Sequence, residues 1–216
     1  ATHCFEKVNA MVADFALSYY YLGFCYYNQA MYINAEAAWV EALKMTLDEE
    51  QRIEIVQSLG RIRDKADFER GVQYILSERF DEGLQCLLPL EMEHDEWWEL
   101  NFYIGLGYRF LEQYEDALSY FLKAIDLNTG HIQSINELGI CYMNIGDYSA
   151  ALMQYKEALR LSPQNAELIC NKGIVYYLMG DMKEAKALFL EANAIAPDDV
   201  LIQRWLMSVD ERNQLH

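Results

Sequence analysis

Four glycines, Gly71, Gly105, Gly139 and Gly173, stand 34 residues apart, and a period of that length restricts the fold more than any other feature of the chain. Several positions carry the period together. Three residues after each glycine comes Tyr74, Tyr108, Tyr142 or Tyr176, and six further on lies Phe80, Tyr114, Tyr148 or Met182. Small residues follow at Gly83, Ala117, Ala151 and Ala185, then Leu87, Phe121, Tyr155 and Phe189, then Leu90, Ala124, Ala158 and Ala192. Glycine inside a helix costs about 1 kcal/mol relative to alanine, so its recurrence points to a close helix crossing that offsets the cost. The small residue early in the second helix serves the same crossing. Gly146-Asp147 and Gly180-Asp181 read as the end of one helix and the start of the next. Each unit is then a helix pair with an apolar face that only stacking can bury.

The same register extends to the front, where Leu22, Gly23, Tyr26, Tyr32, Ala35, Trp39 and Ala42 form a fifth unit. This pattern resembles the tetratricopeptide repeat family. The resemblance implies an all-α, right-handed α-solenoid of antiparallel helix pairs with units at 16–49, 64–97, 98–131, 132–165 and 166–199. Gly23 and Gly71 are 48 residues apart rather than 34, so 50–63 is an insertion. Its Ile55, Leu59 and Ile62 continue to Ala66 at helical spacing, and Asp48 with Gln51 makes a capping box, so a long first helix is expected in the second unit, broken near Gly60. Pro89 predicts a kink or early stop in that unit's second helix. Val200, Leu201, Trp205, Leu206 and Val209 predict a capping helix within 200–216, and Phe5, Val8, Val12 and Phe15 a helical extension at 1–15.

Composition narrows the function. With 53% hydrophobic residues in 216 the chain can build a core, and only three prolines and eleven glycines argue against an all-β fold. A net charge of −17 repels phosphate backbones and anionic lipids, so neither nucleic acid nor a membrane is an expected partner. The excess is local: residues 64–97 hold ten acidic against three basic residues. The uncharged run 15–35 has the length of a membrane span but contains six tyrosines, Asn28, Gln29 and Asn34, and the repeat register makes it a helix and turn. Five cysteines without a close pair fit a reducing cytosol, that is, a cytoplasmic protein, and four scattered histidines predict no metal or other cofactor. No nucleophile–base arrangement or phosphate loop is present in the spacing, so the chain reads as non-enzymatic. It begins at Ala1 without Met, which fits a segment of something longer, such as an accessory part of a larger enzyme or co-chaperone.

The family resemblance places certain first-helix positions on a concave groove. They are Tyr20, Phe24, Tyr27 and Asn28 in the first unit and Phe68, Val72 and Ile75 in the second. Then come Phe102, Leu106 and Arg109, followed by Asn136, Ile140, Met143 and Asn144, and finally Asn171, Ile174 and Tyr177. Tyr20, Phe24 and Tyr27 fall on one stripe that faces a partner, unless the N-terminal helix or the insertion fills the groove instead; Tyr21, Tyr103 and Leu76 are expected to pack between helices. Relatives that grip acidic chaperone tails use five first-helix positions, three of them basic and two asparagine. Here one such window reads Tyr20, Phe24, Glu69, Glu99 and Tyr103, and another Phe102, Leu106, Glu137, Glu167 and Asn171, so that ligand is not expected. The expected function is a scaffold that binds a protein or peptide segment, apolar and neutral or basic, with asparagines meeting its backbone. Self-association into a homo-oligomer stays open beside it. The basic residues Arg52, Arg61, Arg63, Lys65, Arg70 and Arg79 are expected to pair with neighbouring carboxylates.

Overall fold

The 34-residue period resolves into helix pairs because in four of the five units one glycine lets a ring from the next helix reach the backbone. In the computed structural model, which describes residues 16–92 and 94–214, an added Cβ on Gly23 would lie 2.2 Å from Trp39, one on Gly105 2.8 Å from Phe121, one on Gly139 2.9 Å from Tyr155 and one on Gly173 2.7 Å from Phe189. Trp39, Phe121, Tyr155 and Phe189 are all fully buried, and the small residues Ala35, Ala117, Ala151 and Ala185 lie beside them at 0% exposure.

Eleven helices are present among the described residues: α1 (Ala16–Tyr27), α2 (Tyr32–Leu43), α3 (Glu49–Leu76), α4 (Phe80–Glu91), α5 (Trp98–Phe110), α6 (Tyr114–Leu127), α7 (Ile132–Asn144), α8 (Tyr148–Leu161), α9 (Ala166–Met179), α10 (Met182–Ile195) and α11 (Val200–Gln214). The uncharged run therefore divides between α1, a turn and α2, and no helix among the described residues is long and apolar enough to cross a membrane. The helical extension expected at 1–15 lies outside the described residues. The chain forms two compact units, Ala1–Tyr74 and Ile75–His216.

In the first unit, α1 and α2 close around Trp39, and α3 supplies Ile55 and Ile62 to the same core. The capping box forms as expected: Gln51 N–H donates to Asp48 Oδ1 at 2.8 Å, and Asp48 N–H donates to Gln51 Oε1 at 3.3 Å. The helix then runs 28 residues without the break expected at Gly60, whose added Cβ would meet nothing within 4 Å.

In the second unit each helix from α4 to α11 packs on the next, and the first helices α5, α7, α9 and α11 also meet one another, making one wall of an all-α tetratricopeptide-like solenoid. Pro89 lies in the last turn of α4, which stops at Glu91 after 12 residues where α6, α8 and α10 each run 14. The capping helix α11 forms, but its buried stripe is Ile202, Trp205, Leu206 and Val209. Val200 and Leu201, expected on that stripe, are exposed, because Asp199 caps the helix through Leu201 and Ile202 N–H and so sets its rotation.

The turns inside the pairs share one backbone. Gly146 and Gly180 have φ of 85° and 86°, and the residues in the same register are Ala30, Glu78 and Glu112 at 56°, 61° and 61°. After the two glycines, Asp147 accepts from Ala150 N–H at 2.9 Å and Asp181 from Glu184 N–H at 3.1 Å. Met31, Arg79 and Gln113, at the equivalent positions, make no side-chain cap.

Candidate functional site

The wall of first helices in the second unit carries a row of polar groups. Arg109 on α5 sets its Nε 2.5 Å from Glu137 Oε2 on α7, with both side chains less than one fifth exposed. Asn136, next to Glu137, donates through Nδ2 to Glu167 Oε1 at 3.1 Å and accepts at Oδ1 from Asn171 Nδ2 at 2.9 Å, so α9 is tied to α7 through side chains. Burial pushes the Glu137 carboxyl above the usual range; Arg109 opposes this and Glu167 reinforces it. Beneath lies Tyr155, fully buried, whose hydroxyl has no partner among the described residues. Burial first, and the Glu137 carboxylate second, push its ionisation far up, so it stays a neutral phenol.

An apolar cleft adjoins this row. Its volume is about 410 Å³, and Ile75, Leu76, Glu78, Phe80, Leu106 and Phe110 line it. Phe80 and Phe110 stack with centroids 4.9 Å apart, while the Arg109 guanidinium lies 3.9 Å from the Phe110 ring centroid on its way to Glu137. Leu76 and Phe110 leave 69% and 47% of their surface open to solvent. Exposed apolar side chains around a concavity are the usual mark of an interaction surface.

The sequence-predicted groove residues fall into three groups. Leu106 and Ile75 meet at the cleft, and Arg109, Asn136 and Asn171 join the polar row. Ile140 is half-buried, Ile174 is buried, and Met143 packs against two neighbouring cores. Phe102 rests edge-on against Tyr103 and His131, and Asn144 donates to Ile140 O of its own helix at 2.8 Å. Tyr177 is already engaged, edge-on to Trp205 at 5.3 Å and under Arg212.

In the first unit the aromatic stripe differs from its expected orientation. Tyr20 is 8% exposed and its hydroxyl donates to Glu54; Phe24 lies 4.8 Å edge-on from Trp39, and Tyr27 lies 6.1 Å from the same ring. These rings pack on Trp39 instead of standing clear of the core, and the insertion covers Tyr20, which was one of the two alternatives left open. Asn28 is exposed in the turn after α1, and Phe68 and Val72 are half-buried on α3. Leu76, expected to pack, is open. The basic cluster pairs only in part: Arg70 meets Asp67 at 2.7 Å and Arg79 meets Glu82 at 3.0 Å, whereas Arg52 reaches Leu43 O and Lys65 the Tyr32 ring.

A TPR repeat family model matches residues 139–180, and a tetratricopeptide repeat model matches 100–131 and 166–199. Tetratricopeptide repeats thus lie within residues 100–131 and 139–199. Solved structures agree on the fold. The chain is similar to YrrB, described as a TPR protein with an unusual peptide-binding site, at 22% identity and a TM-score of 0.66, covering 94% of this chain and 98% of that one. It is similar to a chain of the APC/C hetero-tetramer Cut9-Hcn1 at 16% identity and a TM-score of 0.63; 96% of this chain is covered, but it spans only 38% of that one. The first TPR of Spaghetti (RPAP3), bound to the HSP90 peptide SRMEEVD, matches at 14% identity and a TM-score of 0.51, covering 54% of this chain and 93% of that one. No curated protein matches the sequence.

Proposed function

We propose that this protein is an interaction scaffold that holds a segment of a partner protein along the wall formed by α5, α7 and α9. The observation that carries the reading is the junction at Arg109, where an open apolar cleft meets a row of amides and carboxylates. An apolar side chain of the partner enters between Leu76 and Phe110, and the Asn136–Asn171 pair offers donors and acceptors to its backbone. Glu137 and Glu167 on the same wall disfavour acidic segments, so the partner is neutral or basic. YrrB and the Spaghetti domain, both described with peptides, support peptide capture by this fold.

A peptide library displayed against the full chain tests this. Enriched peptides should carry one large apolar residue and few carboxylates, and Phe110→Ala or Asn171→Ala should weaken them about tenfold each. Equal binding to both variants would sink the site assignment. A second reading, an accessory segment of a larger assembly, is supported by the likeness to the longer chain in the Cut9-Hcn1 assembly.

A further inference from the structure

Away from the groove wall, the last turn of α4, the following loop, the first turn of α5 and the last turn of α6 enclose a second pocket. Its volume is about 260 Å³, and Glu91, Asp95, Asn101, Lys123, Asp126 and Leu127 line it. Acidic side chains alone do not make a site, but this pocket also contains an unmet buried acceptor. Asn101 is 1% exposed; its Nδ2 donates to Trp97 O at 3.0 Å, and its Oδ1 has no partner among the described residues. A buried amide oxygen without a donor is uncommon and costly, and Asn101 is one of the residues that line this pocket.

The carboxylates divide in two. Glu91 is satisfied by Tyr120 Oη at 2.8 Å and Lys123 Nζ at 2.5 Å. Burial raises its carboxyl, but Lys123 and Tyr120 outweigh that and hold it below the usual range. Asp95 and Asp126 are exposed, and their side chains have no ion pair or hydrogen bond among the described residues. Three carboxylates and one ammonium leave the pocket two negative charges in excess. A ligand here must bring several N–H donors and positive charge.

We propose that this pocket receives an arginine side chain of a partner protein, with the guanidinium donating to Asn101 Oδ1 and to Asp95 and Asp126. A planar guanidinium presents five N–H groups in a fixed fork, so it meets an amide oxygen and two carboxylates at once, which an ammonium on a flexible stem does poorly. It also sheds water more readily, which suits a pocket partly walled by Leu127. No group of three or more His, Cys, Asp or Glu among the described residues is arranged to hold a metal ion. The acidic excess of residues 64–97, which contain Glu91 and Asp95, attracts a basic partner to this end of the unit.

The peptide Gly-Gly-Arg-Gly-Gly, titrated into the full chain at about 20 mM salt and followed by NMR, should give saturable shifts at the amides of Glu91, Asp95, Asn101 and Asp126. The double variant Asp95→Asn/Asp126→Asn, two exposed sites whose change leaves the melting temperature unaltered, should weaken binding about tenfold. The lysine counterpart should bind several-fold more weakly, and Phe110→Ala, confined to the groove, should change nothing. Equal affinity of wild type and double variant, equal affinity for the lysine peptide, or a loss of the titration in Phe110→Ala would each overturn the proposal. So would saturation of the same amides by calcium alone, which would make this a metal site.

Discussion

The pairs α1–α2 and α9–α10 place a glycine beneath a large ring at the same register, yet they secure themselves differently. In α9–α10 the turn does most of the local work: Gly180 adopts a φ of 86° that suits glycine, and Asp181 caps α10. In α1–α2 the turn is poor. Ala30 holds a φ of 56° against the cost of its Cβ, and Met31 makes no side-chain cap. Compensation comes from the ring. Trp39 donates to Tyr20 O at 3.1 Å, is surrounded by Phe24 and Tyr27, and shares its core with Ile55 and Ile62 from α3. The crossing of glycine and ring is common to both pairs, so it defines the unit, while turn chemistry and ring packing substitute for one another.

The largest test of that contrast is Trp39→Ala, which should cost the first unit about 3–5 kcal/mol in urea unfolding followed by circular dichroism. A loss below about 1 kcal/mol would mean the ring is not its anchor. Gly173→Ala forces a Cβ to within 2.7 Å of Phe189 and 3.3 Å of Leu188 Cβ. Overpacking of about 1–3 kcal/mol should outweigh the gain of about 1 kcal/mol in helix propensity, and Phe189→Leu in the same chain should recover most of the loss. Asp181→Ala should cost about 1 kcal/mol, whereas Met31→Asp should gain up to about that much by supplying the missing cap. The smallest expected effect is from Ala30→Gly or Glu112→Gly, each stabilising by less than about 1 kcal/mol because relief of positive φ is partly offset by a freer unfolded chain. If Ala30→Gly and Gly180→Ala shift the melting temperature in the same direction, the two turns are not equivalent.

The helix pairs were legible because their chemistry is local and repeated: a glycine, a large apolar residue 16 positions later and, in the last two pairs, Gly-Asp between. The capping box at Asp48 and Gln51 was legible for the same reason. The left-handed turn residues Ala30, Glu78 and Glu112 were not, since stacking imposes on them a conformation their own propensity disfavours; only their register with Gly146 and Gly180 hints at it. The orientation of Tyr20 was misjudged because the register says where a side chain starts, while the insertion that covers it comes from 34 residues away. In the candidate site, Arg109, Asn136 and Asn171 stand on the first helices where the family resemblance puts them, tied to one another or to carboxylates of the same wall. The cleft did not, because it depends on Leu76, Phe80 and Phe110 leaving open surface that spacing does not reveal.

Gly60 gives α3 a mechanical character that no other helix among the described residues shares. It sits near the middle of 28 residues, costs about 1 kcal/mol in propensity, and no neighbour comes close enough to repay the loss. The ends of α3 are held by the capping box at Asp48 and by burial of Ile75, so the helix is softest at its centre instead of at its tips. Amide protons just after Gly60 should therefore exchange with solvent ahead of those near either end, the reverse of ordinary fraying.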